Sequence, residues 1–209
     1  MSKPSLILIG AGGHARACID VIEHLDAFDI AGLIGTEEEV QHECMGYRVI
    51  ATDIDLPKLA KQYQYAFITI GQIESALVRQ RLYGQVLSLG FKLPAIISPT
   101  AYVSRYAVVG DGTIVMHGAT INASAKVGDN CIINTNALIE HDAIVADHCH
   151  ISTGSIVNGA ANIGLGSFVG SGGIIKQGIT LGSNCFVGMG IAVRHSHADH
   201  SRILTDSKL

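Results

Sequence analysis

The sequence predicts a two-part fold, a small α/β unit followed by a parallel β-helix. Three observations carry that prediction. From Ile97 to Val193 an aliphatic residue recurs at every sixth position without a slip. Four residues behind each of the first sixteen of these runs a second column, from Ala101 and Ala107 to Cys185 and Ile191, in which fourteen of sixteen residues are small. A period of six fits neither a 3.6-residue helix nor a hairpin sheet, but it fits three six-residue sides closing one coil. Ahead of the repeat, the chain opens as strand, glycine turn and helix.

The elements follow in order. Ser5–Gly10, an apolar run, reads as a buried parallel strand. The turn Gly10-Ala11-Gly12-Gly13-His14-Ala15 leads into a helix beginning near Arg16, so backbone N–H groups can approach a phosphate or sugar at a helix N-terminus. A second strand is expected at Ile30–Gly35, a third at Ala66–Gly71 and a helix from about Glu74 to Leu89. Pro94 and Pro99 mark the junction, so residues 1–95 form the first domain. Its second strand ends Leu33-Ile34-Gly35-Thr36-Glu37-Glu38, without the terminal acid that would hold the ribose of a dinucleotide. The unit is also too short for both halves of a dinucleotide fold. One nucleotide, or a nucleotide-linked ligand, is the expected occupant.

Residues 96–193 form the second domain, about five coils stacked at ~4.8 Å. The first domain is expected to cover the starting end of the prism. At the other end the register runs out, and residues 194–209 read as a polar tail whose charges protect the edge and whose histidines hold no more than an adventitious metal. Cys131, Cys149 and Cys185 lie 18 and 36 residues apart in the small column and are read as stacked core residues rather than metal ligands.

Composition removes several function classes. A net charge of −4 and a pI near 6.2 argue against a nucleic-acid or anionic-membrane binder. The opening MSKPSLILIGAGG leads into a glycine turn rather than a cleavage site, and no apolar segment approaches the ~20 residues of a membrane span. A cytoplasmic protein is expected.

The chemistry resides in histidines. His117 and His148 are read as structurally idle. His141 stands in Glu140-His141-Asp142, where a carboxylate can orient an imidazole, fix its tautomer and raise its basicity, as a general base requires. His150 lies nine residues on, half a coil, and so on a different side of the prism, roughly 15 Å away. Both can serve one site only if that site lies between subunits.

With Leu8-Ile9-Gly10-Ala11-Gly12-Gly13-His14, Ile68-Thr69-Ile70-Gly71, Asn134-Thr135 and Ile139-Glu140-His141-Asp142 beside an unbroken hexapeptide register, nearly the whole chain resembles the left-handed β-helix sugar acetyltransferases of the sialic acid O-acetyltransferase and bacillosamine-pathway N-acetyltransferase type. The resemblance implies a Rossmann-like α/β domain before a left-handed β-helix. It also implies acetyl-CoA as co-substrate, a homotrimer with active sites between subunits, and no metal. It makes His141 the catalytic base and Asp142 the acid beside it. His150 would contact the thioester and Gly159 would line the coenzyme groove. Gly12, Gly13 and His14, with Gly71 nearby, would hold a nucleotide-sugar. At Gly35 and Thr36, positions that the resemblance assigns to the nucleotide, the family usually carries acids. The related chains also end in a different C-terminal segment. The expected reaction is acetylation of the 4-amine of a 4-amino-4,6-dideoxy sugar on UDP, with GDP or dTDP next. The alternatives are O-acetylation of a sugar such as sialic acid, a zinc carbonic-anhydrase-like β-helix, and a non-catalytic nucleotide-sugar scaffold.

Overall fold

The structure, a computed structural model, describes residues 3–205. The first two residues of the expected first domain and residues 206–209 of the expected tail lie outside the described residues. Among the described residues no helix is long and apolar enough to cross a membrane.

The first domain runs β1 (Ser5–Ile9), α1 (Gly13–Leu25), β2 (Asp29–Gly35), β3 (Glu43–Cys44), β4 (Tyr47–Thr52), α2 (Leu56–Leu59), β5 (Tyr65–Ile68) and α3 (Leu77–Ser88). Its sheet has the order β3-β4-β2-β1-β5 and is parallel except for β3. Strand β5 ends three residues earlier than expected and α3 starts three later, because Gly71–Ala76 forms a loop against the second domain. The β3–β4 hairpin had no periodic signal, being short and half exposed.

The repeat builds a three-sided prism. Strands of two residues each stack in three sheets. The first face holds β6 (Ile96–Ile97) and its stacked successors, the second begins at Tyr102–Val103, and the third at Val108–Val109. Partners lie 18 residues apart, as in Thr120 with Leu138. The six-period aliphatic column points inward and is buried from Val115 to Val193, and the small column closes the corners beside it. A third ladder of period six sets the bends, each corner holding one residue with φ between 52° and 70°, from Gly112, Gly118, Ser124 and Asn130 to Asn184 and Gly190. Glycine, asparagine, aspartate and histidine, the types that tolerate this backbone region best, fill most of it. Cys131, Cys149 and Cys185 are corner core residues whose thiols donate to carbonyls of the next coil, those of Ala146, Gly164 and Ala198.

Two expectations change. The first domain does not cover the end of the prism; it lies along the first face. That face presents Ile96, Ile114 and Ile132 outward, and these pack with Cys18, Ile19 and Ile22 of α1. The outward column of the third face includes Lys126, Asn162 and Thr180 and so offers less apolar area to bury. The described chain after Val193, residues 194–205, is also no tail. It continues into a sixth coil, pairing Leu181 with His197 and Phe186–Val187 with the strand Arg202–Ile203. The spacing falls from 18 to 16 there, so the hexad register disappears although the coil persists.

Candidate active site

A cleft of about 740 Å³ opens at the carboxyl ends of β1, β2, β4 and β5. The expected residues Gly12, Gly13, His14, Gly35, Thr36 and Gly71 all line it, together with Glu37, Glu39, Asp53, Gln72 and Ile73. Gly12 caps α1 and leaves the first-turn N–H groups facing the cleft. No lysine or arginine is among the lining residues, so an anion there would be held by backbone dipoles.

His14 turns from the glycine loop into the seam between the domains. Burial, with the charges of Arg79 and His150 adding to it, lowers its pKa to about 3, and its Nε2 is buried without a partner. Beside it Arg79, fully buried, donates to the carbonyls of Ile70 (2.6 Å) and Asn130 (2.9 Å) and to Asn130 Oδ1 (2.7 Å). This guanidinium ties the cleft wall to a corner of the β-helix. Sequence reasoning missed it, although Arg79 occupies the same helical stripe as Leu82, Tyr83 and Val86 and was therefore a cation on a buried face.

His150 projects from the first face into the same seam. Its Nδ1 lies 2.6 Å from the Gln72 carbonyl, which can only accept, so Nδ1 carries the proton. Nε2 accepts from Asn134 Nδ2 at 3.1 Å. Burial lowers the pKa to about 4, and the ring packs edge-on against Phe168. Gln72 also donates to the Gly166 carbonyl at 3.3 Å, so the loop that walls the cleft rests on the β-helix at two points. His117 and His148 are not idle either. His117 joins Asp20 of α1 (2.8 Å) to Ser98 (2.6 Å), and His148 Nδ1 accepts from Asn130 Nδ2 (2.9 Å).

His141 lies elsewhere. It follows Leu138–Ile139 of the second face, on the corner that leads to Ile144–Val145 of the third, the edge opposite the first domain. Its Nδ1–H donates to Asp142 Oδ2 at 2.8 Å, leaving the Nε2 lone pair outward. Asp142 has φ 61°, so the residue that bends the corner is also the acid that holds the ring. The hydrogen bond to Asp142 raises the His141 pKa, and the charges of Asp142 and Glu140 act in the same direction against slight desolvation. Glu140 accepts from the His141 N–H (3.2 Å) and from Asn122 Nδ2 (3.0 Å). One coil on, Gly159 lies over the imidazole. A Cβ there would come within 2.8 Å of Cε1 and 2.9 Å of Nε2, so only glycine leaves the ring open.

Along the same edge the corner residues run Asn122, Glu140, Asn158, Lys176 and Arg194. Lys176, Gln177, Arg194 and His195 line a hollow of about 660 Å³ where the last coil is two residues short. His141, His148 and His150 stand on two different corners and a face, so they do not converge within one chain.

The chain matches the PglD N-terminal domain family over residues 5–86 and the bacterial transferase hexapeptide family (six repeats) over residues 106–141. A mutant of perosamine N-acetyltransferase from Caulobacter crescentus, solved with CoA and GDP-perosamine, is 30% identical with a TM-score of 0.90, covering 96% of this chain and 93% of that one. This chain belongs to the left-handed β-helix sugar acetyltransferases. The acetyltransferase domain of PglB from Neisseria gonorrhoeae is 29% identical over 96% of both chains, with a TM-score of 0.87. WeeI from Acinetobacter baumannii, at 18% identity and a TM-score of 0.84 over 95% of both chains, shares the fold. No curated protein matches in sequence. Family membership gives the prism its left hand and makes the chain an acyltransferase.

Proposed function

We propose that the protein transfers acetyl from acetyl-CoA to the 4-amine of a nucleotide-linked 4-amino-4,6-dideoxy sugar in the cytoplasm, with His141 as general base. The observation that carries this reading is the His141–Asp142 pair, held at 2.8 Å with Gly159 keeping its free nitrogen open. His141 Nε2 takes the proton as the neutral amine attacks the thioester carbonyl, and Asp142 stabilises the imidazolium that forms. Collapse of the tetrahedral adduct breaks the C–S bond and expels the CoA thiolate, which takes up a proton as free thiol. The nucleotide occupies the cleft. The solved relatives support the reading, one carrying CoA and GDP-perosamine and another acetyl coenzyme A.

The cleft lies against the first face and His141 on the opposite corner. With six-residue sides of ~20 Å, the prism separates them by roughly 17 Å. A sugar held in one chain's cleft therefore needs the His141 of a second chain, which supports a homotrimer with sites between subunits. The second face fits such packing, since Tyr102 and Ile174 stand exposed in an outward column with Leu138 and Ile156. Lys176 and Arg194 fit the coenzyme's phosphates, Arg194 lying three coils, about 14 Å, along the edge from Glu140. His150 donates its one N–H to Gln72 and accepts at Nε2. A thioester contact from it would require exchange of its Gln72 or Asn134 partner, so a backbone amide is the better donor to the oxyanion.

A panel of UDP-, GDP- and dTDP-linked amino sugars and hydroxyl acceptors, with release of free thiol as the readout, tests the reaction. Transfer to amines alone is expected, and transfer only to hydroxyls would replace the proposal with O-acetylation. Mixing inactive His141→Ala with inactive Gly71→Leu, whose side chain would meet His14, should restore part of the activity in mixed oligomers. Failure of any mixture to recover would remove the shared site.

A further inference from the structure

We infer that Glu39 holds the ribose of the bound nucleotide through its 2′- and 3′-hydroxyls, and that Gly35 is glycine in order to seat it; this rests on the nucleotide-sugar reading above. In a mononucleotide-binding α/β unit, an acid at the end of the second strand accepts hydrogen bonds from the ribose hydroxyls. Here β2 ends at Gly35, and Thr36 follows. The structure brings a carboxylate back to that place from four residues downstream. Glu39 Oε2 accepts from the Thr36 N–H at 2.9 Å and from Thr36 Oγ1 at 3.3 Å. It stands over the last residue of the strand, where a Gly35 Cβ would lie 2.7 Å from Oε2 and 3.0 Å from Val49 Cγ1.

Gly35 has no positive φ, so the backbone does not require glycine there. The space does. A side chain at this position would push the carboxylate out of the cleft wall. Both bonds from Thr36 fall on Oε2, which leaves Oε1 for a ligand. The other acids of the cleft are placed less firmly. Glu37 is exposed, and Asp53 faces Arg81 across 3.8 Å at the surface. A pinned acceptor at the end of β2 is preorganised for a vicinal diol and neutral to the identity of the base. The protein should therefore select a ribonucleotide over its 2′-deoxy counterpart, taking UDP or GDP and refusing dTDP.

Titration calorimetry with UDP, dUDP, GDP and dGDP tests this without the reaction. The wild-type protein should bind each ribonucleotide about ten- to hundredfold more tightly than its deoxy form, the worth of one hydrogen bond to a charged acceptor. Glu39→Gln keeps an oxygen for the Thr36 N–H and so keeps the turn, but should weaken UDP and GDP toward the deoxy values. Gly35→Ala, which retains the carboxylate and displaces it, should do the same. In the acetyl-transfer assay KM should rise for the nucleotide-sugar and stay unchanged for acetyl-CoA. If Glu39 only caps the turn, the ribose-to-deoxyribose ratio will not move in either variant, and the inference fails while the nucleotide-sugar reading stands. Equal wild-type binding of both forms overturns it in the same way. Binding of no nucleotide at all overturns both.

Discussion

His141 stands on an exposed corner of a repeat, whereas His150, nine residues later, is buried in the seam between two domains. The first imidazole is fixed by its neighbour in sequence and one glycine a coil away. The second is fixed by Gln72 and Asn134, 78 and 16 residues away. The exposed ring is biased toward the proton by Asp142, and the buried ring is kept neutral by loss of water. A repeat can carry a reactive group because its backbone is already complete. The seam spends its polar groups on joining two folds that would otherwise slide.

The largest effect should separate the two at once. His141→Ala should lower kcat by about 10²–10⁴-fold, roughly 3–5 kcal/mol of barrier, with an unchanged melting temperature. A comparable loss of stability would put His141 in the structural class. Arg79→Ala should do the reverse at the seam. It leaves the Ile70 and Asn130 carbonyls buried without a donor, and chemical denaturation should register a loss of about 3 kcal/mol.

The seam should also be sensitive to acid. His150 is held near pKa 4 and His14 near 3, against 6.5 for a free imidazole. Between these values the unfolded chain binds protons that the native state refuses, so stability falls as the pH drops from about 6.5 to 4. His150 alone contributes on the order of 3 kcal/mol to that fall. Unfolding free energies measured across this range should flatten by about one proton in His150→Gln; an unchanged slope would mean that the ring is protonated in the fold.

The smallest effect sharpens the corner. Asp142 raises the His141 pKa. A general base works only when deprotonated, so on the proposed reading kcat/KM should fall as the pH drops through that raised value. Asp142→Asn should move the acid limb to lower pH and reduce the plateau. An acid limb that stays in place would assign it to another group.

What could be read in the sequence divides along the same line. The prism and its cysteine column were legible because a period of 18 turns sequence distance into spatial distance. The His141–Asp142 pair was read from adjacency in Glu140-His141-Asp142, and Gly159 only from the family resemblance. Gly12, Gly13 and His14 lie on a glycine turn after a strand, where a ligand is expected, whereas Gly35, Thr36 and Gly71 came from the family resemblance alone. Arg79, Gln72 and Asn134 were not read as partners, since their contacts cross 16 to 94 residues with no periodicity to carry the signal. The side-on docking of the first domain was present in Ile96, Ile114 and Ile132, but only once one knew which member of each strand pair points outward. The sixth coil was hidden by the loss of two residues, which breaks the hexad without breaking the stack.

That shortened coil changes what the described end of the prism presents. A prism whose coils all held 18 residues would offer a flat, repeating end on which another coil, or another molecule, could continue in register. With two residues gone, the final layer no longer matches the triangle beneath it, and Arg202 bonds to Glu74 across its rim. The described end of the stack thus presents a different surface from the layers within it. A whole layer inserted between His141 and the cations Lys176 and Arg194 would shift them by one strand spacing, ~4.8 Å, so the number of coils sets the distance from these cations to that imidazole.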